Sequence, residues 1–366
     1  MSNFLFVTWN GGGNQPPERD TAAELQARGH HVRWLTLPAH PPNLAALRPE
    51  QRTPAVIAQV MTNPTNLDEL TADLAKAPAD AIVVDCMLFG ALAAAQLLEL
   101  PVCCFIHSVP GAFGGPTPGF PSAALLSASI AEMLDKLGLP VEHDPWTVWA
   151  AANPIVASFR ELDVPAAAAV PEFDWIGPVV PRPSTPREAT GKNVILSLST
   201  YPGFRALEQP KAQRILDGVA GLDLAVQLTA PALDVDQLRI PANVTVHGYV
   251  PHRDLLDDAA LVITHCGHGT LCTSLAYGVP ALVIPNMAAD QPYLGERIQQ
   301  LGAGRNLPYD AEPDQINSAV RTILQDDSYH QAARELQATI LATPGTARAA
   351  DRIEDIVATA PSRTTE

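Results

Sequence analysis

The sequence predicts an α/β protein made of two successive domains, each a doubly wound parallel sheet. Short apolar runs alternate with longer amphipathic ones, as βαβ units require. The 366 residues suit two domains at about 150 residues each, and a proline-dense stretch parts one such series from the next. In the first series, strands are expected over residues 4–8, 31–36, 81–84 and 102–107, with helices over 19–28, 66–76 and 90–98. The second series predicts strands over 194–199, 224–228, 244–246, 261–264 and 281–284. Between them, Gly177-Pro178-Val179-Val180-Pro181-Arg182-Pro183-Ser184-Thr185-Pro186 has too many prolines for helix or central strand and reads as extended. The chain thus divides into a first domain 1–176, a linker 177–192, a second domain 193–345, and a C-terminal helix with a polar tail over 346–366. In open parallel sheets ligands sit beyond the carboxyl ends of the strands, so the chemistry is sought just after each strand.

Composition removes several function classes. Acidic residues number 39 against 23 basic ones, a net charge of −16, which repels nucleic-acid backbones and anionic lipid alike. Residues 1–9 lack the basic start of a signal peptide, and no apolar run reaches the 18 residues of a membrane span. The expected location is cytoplasmic. Five cysteines, Cys86, Cys103, Cys104, Cys266 and Cys272, are sparse, odd in number and mostly set in apolar runs, so buried thiols without disulfides are expected.

The most informative stretch is Thr264-His265-Cys266-Gly267-His268-Gly269-Thr270-Leu271, between an apolar strand and a helix. Glycines let backbone amides approach an anion, and a helix N-terminus adds partial positive charge, so the turn suits a diphosphate. Taken alone it also fits a ligand-free turn. Downstream, Gly278-Val279-Pro280 leads through a strand to Asp290-Gln291, a carboxylate beside a carboxamide, which together accept from and donate to sugar hydroxyls.

With Gly248-Tyr249-Val250-Pro251 ahead of them, these elements resemble the donor-binding signature of GT-B glycosyltransferases, natural-product enzymes of actinobacteria in particular. Gly11-Gly12-Gly13 after the first strand, Arg28-Gly29-His30-His31-Val32 after the first helix, and Asp85 extend the resemblance into the first half. It implies two Rossmann-like domains facing across a cleft. It also implies that His265 with Gly267, His268, Gly269 and Thr270 holds the donor diphosphate, that Asp290 and Gln291 hold the sugar, and that Tyr249 and Val250 lie against the base. Ser199 and Thr200 match the family's serine/threonine loop. The ribose-binding glutamate of plant members, three residues beyond Thr270, is replaced by Thr273, which leaves dTDP-sugars, without a 2′-hydroxyl, as plausible as UDP-sugars.

A second departure lies at Gly13-Asn14-Gln15-Pro16-Pro17, where the family has Gly-His-x-x-Pro with a histidine base. A carboxamide does not titrate near neutral pH, so Asn14 orients and does not deprotonate. Asp85, matching the aspartate that supports the family's histidine, and His107, at the end of an apolar strand, are the two candidate bases. Gly12 and Gly13 would lie against the acceptor. Phe113 and Trp146, with Phe120 and Trp149, are aromatic residues of the first domain suited to lining an apolar acceptor pocket or to ordinary core packing. Asp234-Val235-Asp236 reads as a surface loop, and the spacing of His265, Cys266, His268 and Cys272 lacks the paired pattern of structural zinc. No metal and no cofactor beyond the nucleotide-sugar co-substrate are expected.

These readings describe an inverting, metal-independent glycosyltransferase moving sugar from a dTDP- or UDP-sugar to an apolar aromatic or polyketide aglycone. A catalytically inactive accessory partner and a nucleotide-sugar epimerase of the same fold are the alternatives. Nucleic acid and membrane are not expected as partners, and a homodimer is left open.

Overall fold

The computed structural model describes residues 1–43, 46–116, 118–183, 192–200, 205–287 and 290–359. The chain divides into two compact units. The first comprises Met1–Pro118, Ser122–Val179 and the C-terminal segment from Pro344; the second comprises Gly119–Pro121 and Val180–Thr343.

The first unit holds strands β1 (Asn3–Thr8), β2 (His31–Thr36), β3 (Ala81–Asp85), β4 (Val102–Ile106), β5 (Ile155–Val156) and β6 (Asp174–Trp175) in one sheet of order β2-β1-β3-β4-β5-β6. All its pairings are parallel. β3 and β4 are buried along their whole length, which is why AIVVD and VCCFI read as continuous apolar runs and not as alternation. Helix Gln15–Ala27 starts earlier than the apolar pattern suggests, because Pro16 and Pro17 occupy its first turn, where no amide is needed.

The second unit holds β7 (Asn193–Ser197), β8 (Ala225–Thr229), β9 (Val244–His247), β10 (Ala259–Thr264), β11 (Ala281–Val283) and β12 (Gly304–Asn306), in the order β12-β11-β10-β7-β8-β9. Counted within the unit this is 6-5-4-1-2-3, the doubly wound nucleotide-binding order, whose reversal falls between β7 and β10. In the first unit the reversal falls between β1 and β3. The loops following these four strands are therefore where ligands are expected.

The C-terminal helix Gly345–Thr359 completes the first unit. Its Ala349, Ala350 and Ile353 join Phe4, Phe6, Val83 and Phe105 from the sheet and Leu25 from helix Gln15–Ala27 in one core. Arg28 reaches Asp351 at 2.6 Å and Glu354 at 2.9 Å on the same helix. These partly exposed pairs orient the helix, while apolar burial holds it. Ile353→Ala is expected to cost about 2–4 kcal/mol, read as a lower urea midpoint; an unchanged midpoint would show that the helix adds nothing to the core.

Residues 177–183 form neither helix nor strand, as the prolines require. Gly177–Val179 are nevertheless buried, with Val179 in the first core. Ser184, Thr185 and Pro186, the rest of the proline-rich stretch, lie outside the described residues. All five cysteines are free and buried. Among the described residues no helix is long and apolar enough to cross a membrane.

Candidate functional site

Each unit gathers polar side chains at its switch point. In the first, Val7 pairs with Val84 and Asp85 with Phe105, so Thr8, Asp85 and His107 emerge side by side. Asp85 is 1% exposed. Its Oδ1 accepts from the Met87 amide at 2.8 Å, and its Oδ2 accepts from Asn14 Nδ2 at 2.9 Å and from His107 Nδ1 at 3.2 Å. Burial alone would raise the carboxyl pKa, but the charge of His107 overrides it and holds Asp85 below the usual range. In return, although burial opposes protonation, the Asp85 carboxylate lifts His107 well above an ordinary imidazole. Each thereby favours the charged form of the other, imidazolium beside carboxylate. Nδ1 is committed to Asp85 and, at 3.6 Å, to the Cys86 thiol, while the histidine side chain keeps 16% of its surface exposed. Nε2 is the ring nitrogen that neither Asp85 nor Cys86 engages.

Asn14 is 3% exposed and has helical backbone angles. Its Nδ2 lies within hydrogen-bond reach of Thr8 Oγ1 (3.2 Å), the Trp9 carbonyl (3.1 Å) and Asp85. It thus holds the carboxylate from one side while His107 holds it from the other. The left-handed turn residue is Gly12, at φ 85°, and a Cβ on Gly13 would meet no described residue within 4 Å.

Glu18 completes the cluster and escaped the sequence analysis, though a carboxylate one helical turn after Asn14 was a usable signal. It is 1% exposed, and Thr8 Oγ1 donates to its Oε2 at 2.5 Å. Burial first, and Asp85 beside it second, raise its pKa well above 4.5, which favours the protonated acid. Unfolded chain releases that proton above about pH 4.5, whereas the fold retains it, so this group's contribution to stability falls as pH rises toward the raised value. Glu18→Gln mimics the protonated acid. It should keep turnover within about threefold and show a smaller loss of stability than wild type between pH 4.5 and 7.5 in urea unfolding.

The aromatic residues surround this cluster as packed core. Trp149 donates from Nε1 to the Cys86 carbonyl at 2.7 Å, Phe113 meets its ring edge-on at 6.3 Å, and Trp146 donates to the Pro110 carbonyl at 2.9 Å. Phe113 and Trp146 are 4% and 9% exposed, so they back the site and present little surface to a ligand in this conformation. Phe120, read from sequence with the first domain, belongs with the second unit. Asp85, Cys86 and His107 bring ligand-type atoms within 4.8 Å of one another, the one such trio among the described residues. Here hydrogen bonds link them, and burial pushes the Cys86 thiol up to about 12.

In the second unit, Ser197 pairs with Thr264 and Thr264 with Val283, so the loops beginning at Leu198, His265 and Ile284 adjoin. Cys266 turns the strand into the helix through a left-handed backbone, φ 71°, a strain on the order of 1 kcal/mol for a non-glycine residue. Helix His268–Ala276 then opens at Gly267 with no capping side chain, leaving its first amides to other partners. A Cβ on Gly267 would stand 3.0 Å from His265 Nε2, whereas one on exposed Gly269 would meet no described residue within 4 Å. A left-handed residue, an uncapped helix start and an exposed glycine are backbone features that suit an anion. Burial pushes His265 down to about 4, so it is a neutral hydrogen-bonding group.

Other residues named from sequence take distinct positions. The His268 ring meets Cys272 Sγ at 3.3 Å within its own helix. Thr270 is half-buried, Thr200 exposed, Val250 half-buried and Tyr249 74% exposed. Ser199 donates its amide to both Glu208 oxygens, at 3.1 and 2.8 Å. Asp290 precedes helix Gln291–Gln300, and Gln291 Oε1 accepts from the Asn286 amide at 2.9 Å. Thr273, in the place of the plant glutamate, is 5% exposed and donates to the Gly269 carbonyl at 2.7 Å.

Residues 213–356 match the family described as erythromycin biosynthesis protein CIII-like, C-terminal domain. The chain is 28% identical over 232 residues to 3-alpha-mycarosylerythronolide B desosaminyl transferase of Saccharopolyspora erythraea, covering 62% of this chain and 54% of that protein. It is thus aligned with about half the length of that relative. The kitacinnamycin glycosyltransferase structure superposes with a TM-score of 0.77 at 22% identity, covering 97% of this chain and 99% of the other. The spinosyn rhamnosyltransferase SpnG complexed with thymidine diphosphate superposes with a TM-score of 0.70 at 20% identity, covering 96% and 99%. Two six-stranded parallel sheets and these superpositions give the chain the GT-B fold of the glycosyltransferase structures it resembles.

Proposed function

We propose that the chain is an inverting glycosyltransferase that moves a sugar from a nucleoside diphosphate to an apolar, aromatic or polyketide acceptor. The observation that carries this reading is the uncapped turn from His265 to Thr270, whose amides suit a departing diphosphate. Thr273, buried and bonded to its own helix, offers no carboxylate to a ribose, and SpnG has been solved with thymidine diphosphate. Both favour a dTDP-sugar over a UDP-sugar.

In the proposed step the acceptor hydroxyl gives its proton to His107 Nε2 as its oxygen bonds the anomeric carbon. The bond from that carbon to the phosphate oxygen breaks on the opposite face, and the electron pair leaves with the diphosphate. Asp85 stabilises the imidazolium, and Asn14 and Met87 hold Asp85. The leaving group is held by helix amides and by neutral His265, so chelation with EDTA should leave turnover unchanged.

The test is mass spectrometry of dTDP-glucose and UDP-glucose, each incubated with the protein alone and then with a panel of aromatic aglycones. A glycosylated aglycone is the expected product. Conversion of the donor without acceptor would assign an epimerase, and donor binding with neither conversion an accessory partner.

A further inference from the structure

Next to His265 lie a buried carboxylate and a buried ammonium, bridged by Asn286, that the proposed reaction does not use. Helix Arg205–Val219 carries Glu208 and Lys211 one turn apart, 0% and 1% exposed. Glu208 accepts from the Ser199 amide with both oxygens and from Asn286 Nδ2 at 2.8 Å, and its Oε1 lies 3.9 Å from His265 Nδ1. Lys211 Nζ donates to the Ile284 carbonyl at 2.8 Å and to Asn286 Oδ1. The Asn286 amide in turn donates to Gln291. Two charged side chains and one carboxamide thus tie together the loops after β7 and β11 and the start of helix Gln291–Gln300, while touching His265 after β10.

Burying opposite charges seldom adds net stability over apolar residues of similar volume, because desolvation offsets the attraction. Its bonds here run to the loops expected to hold the donor, and not to the apolar core. We propose that Glu208 and Lys211 are a positioning pair for the donor site, fixing the Ser199 loop and Gln291 through Asn286 so that diphosphate affinity depends on the charge of Lys211. This rests on the donor reading above.

The charge is free to change near physiological pH. Burial pushes Lys211 down to about 8, against the opposing pull of Glu208. The groups facing it are Glu208 and Arg214 on its own helix, Cys266 and His265 after β10, and the Tyr309 ring at 5.9 Å. His265, pushed down to about 4, and Cys266, raised by burial, keep their protonation between pH 7.5 and 9.

The test is calorimetric titration with dTDP at pH 7.5, 8.25 and 9. Wild-type affinity should weaken about fivefold to tenfold across that range, while Lys211→Arg, which carries a permanent charge, should stay flat. The double variant Glu208→Met/Lys211→Met should keep the wild-type melting temperature within about 4 °C and bind dTDP at least about tenfold more weakly. A flat wild-type profile, or a folded double variant with wild-type affinity, overturns the positioning role. Because the wild-type profile needs no variant, a misfolded double variant does not rescue the proposal. A wild-type chain that binds no dTDP at any pH overturns the donor reading itself.

Discussion

His107→Ala is expected to lower kcat by about 100-fold to 10,000-fold, the usual weight of a general base, with donor diphosphate affinity unchanged. The reason is geometric. His107 Nδ1 is held by Asp85 at 3.2 Å, so Nε2 is the one nitrogen able to take the acceptor proton. The pH profile adds a sharper check. Asp85 lifts His107 well above 6.5, and a base works only when deprotonated, so activity should still be rising with pH at neutrality. In Asp85→Asn the carboxylate is gone and burial alone acts on the imidazole, so the rising limb should move to lower pH while the maximal rate falls at least about tenfold. Steady-state kinetics from pH 5.5 to 9.5 read both effects. A wild-type rate independent of pH, together with an active His107→Ala, would falsify the base assignment.

Gly269→Asp is expected to move stability and donor binding in opposite directions. Among the described residues nothing lies within 4 Å of a Cβ at this exposed position, and a carboxylate in the first turn of a helix is stabilising by about 0.3–1 kcal/mol. The same charge facing a diphosphate is repelled. At about 4 Å the repulsion lies between roughly 1 kcal/mol in bulk water and about 4 kcal/mol near a protein surface. The melting temperature should hold or rise, while dTDP affinity falls roughly tenfold or more. Retained affinity would place the diphosphate elsewhere.

The sheet strands with long apolar runs were legible because full burial leaves no other reading for AIVVD or VCCFI. β5 and β6, two residues each, were not, since two residues carry no periodicity. Residues after strands were legible as a class, from the rule that ligands sit at carboxyl ends, but their roles were less so. The glycines of His265–Thr270 pointed to an anion seat, yet the left-handed residue of that turn is Cys266, a conformation no propensity assigns to cysteine. Asn14 was read as a departure at the catalytic position; only coordinates show it holding one side of Asp85 while His107 holds the other. Glu18 and the Glu208–Lys211 pair sit on helices, where a charge in sequence reads as solvated surface. Their burial depends on which helix face meets the sheet end, a tertiary property.

The most direct measurement is a crystal structure of the protein with dTDP. The account predicts both phosphates at the start of helix His268–Ala276, within hydrogen-bonding distance of the backbone amides of residues 268–270 and of His265. A nucleotide whose phosphates lie away from that turn would contradict it.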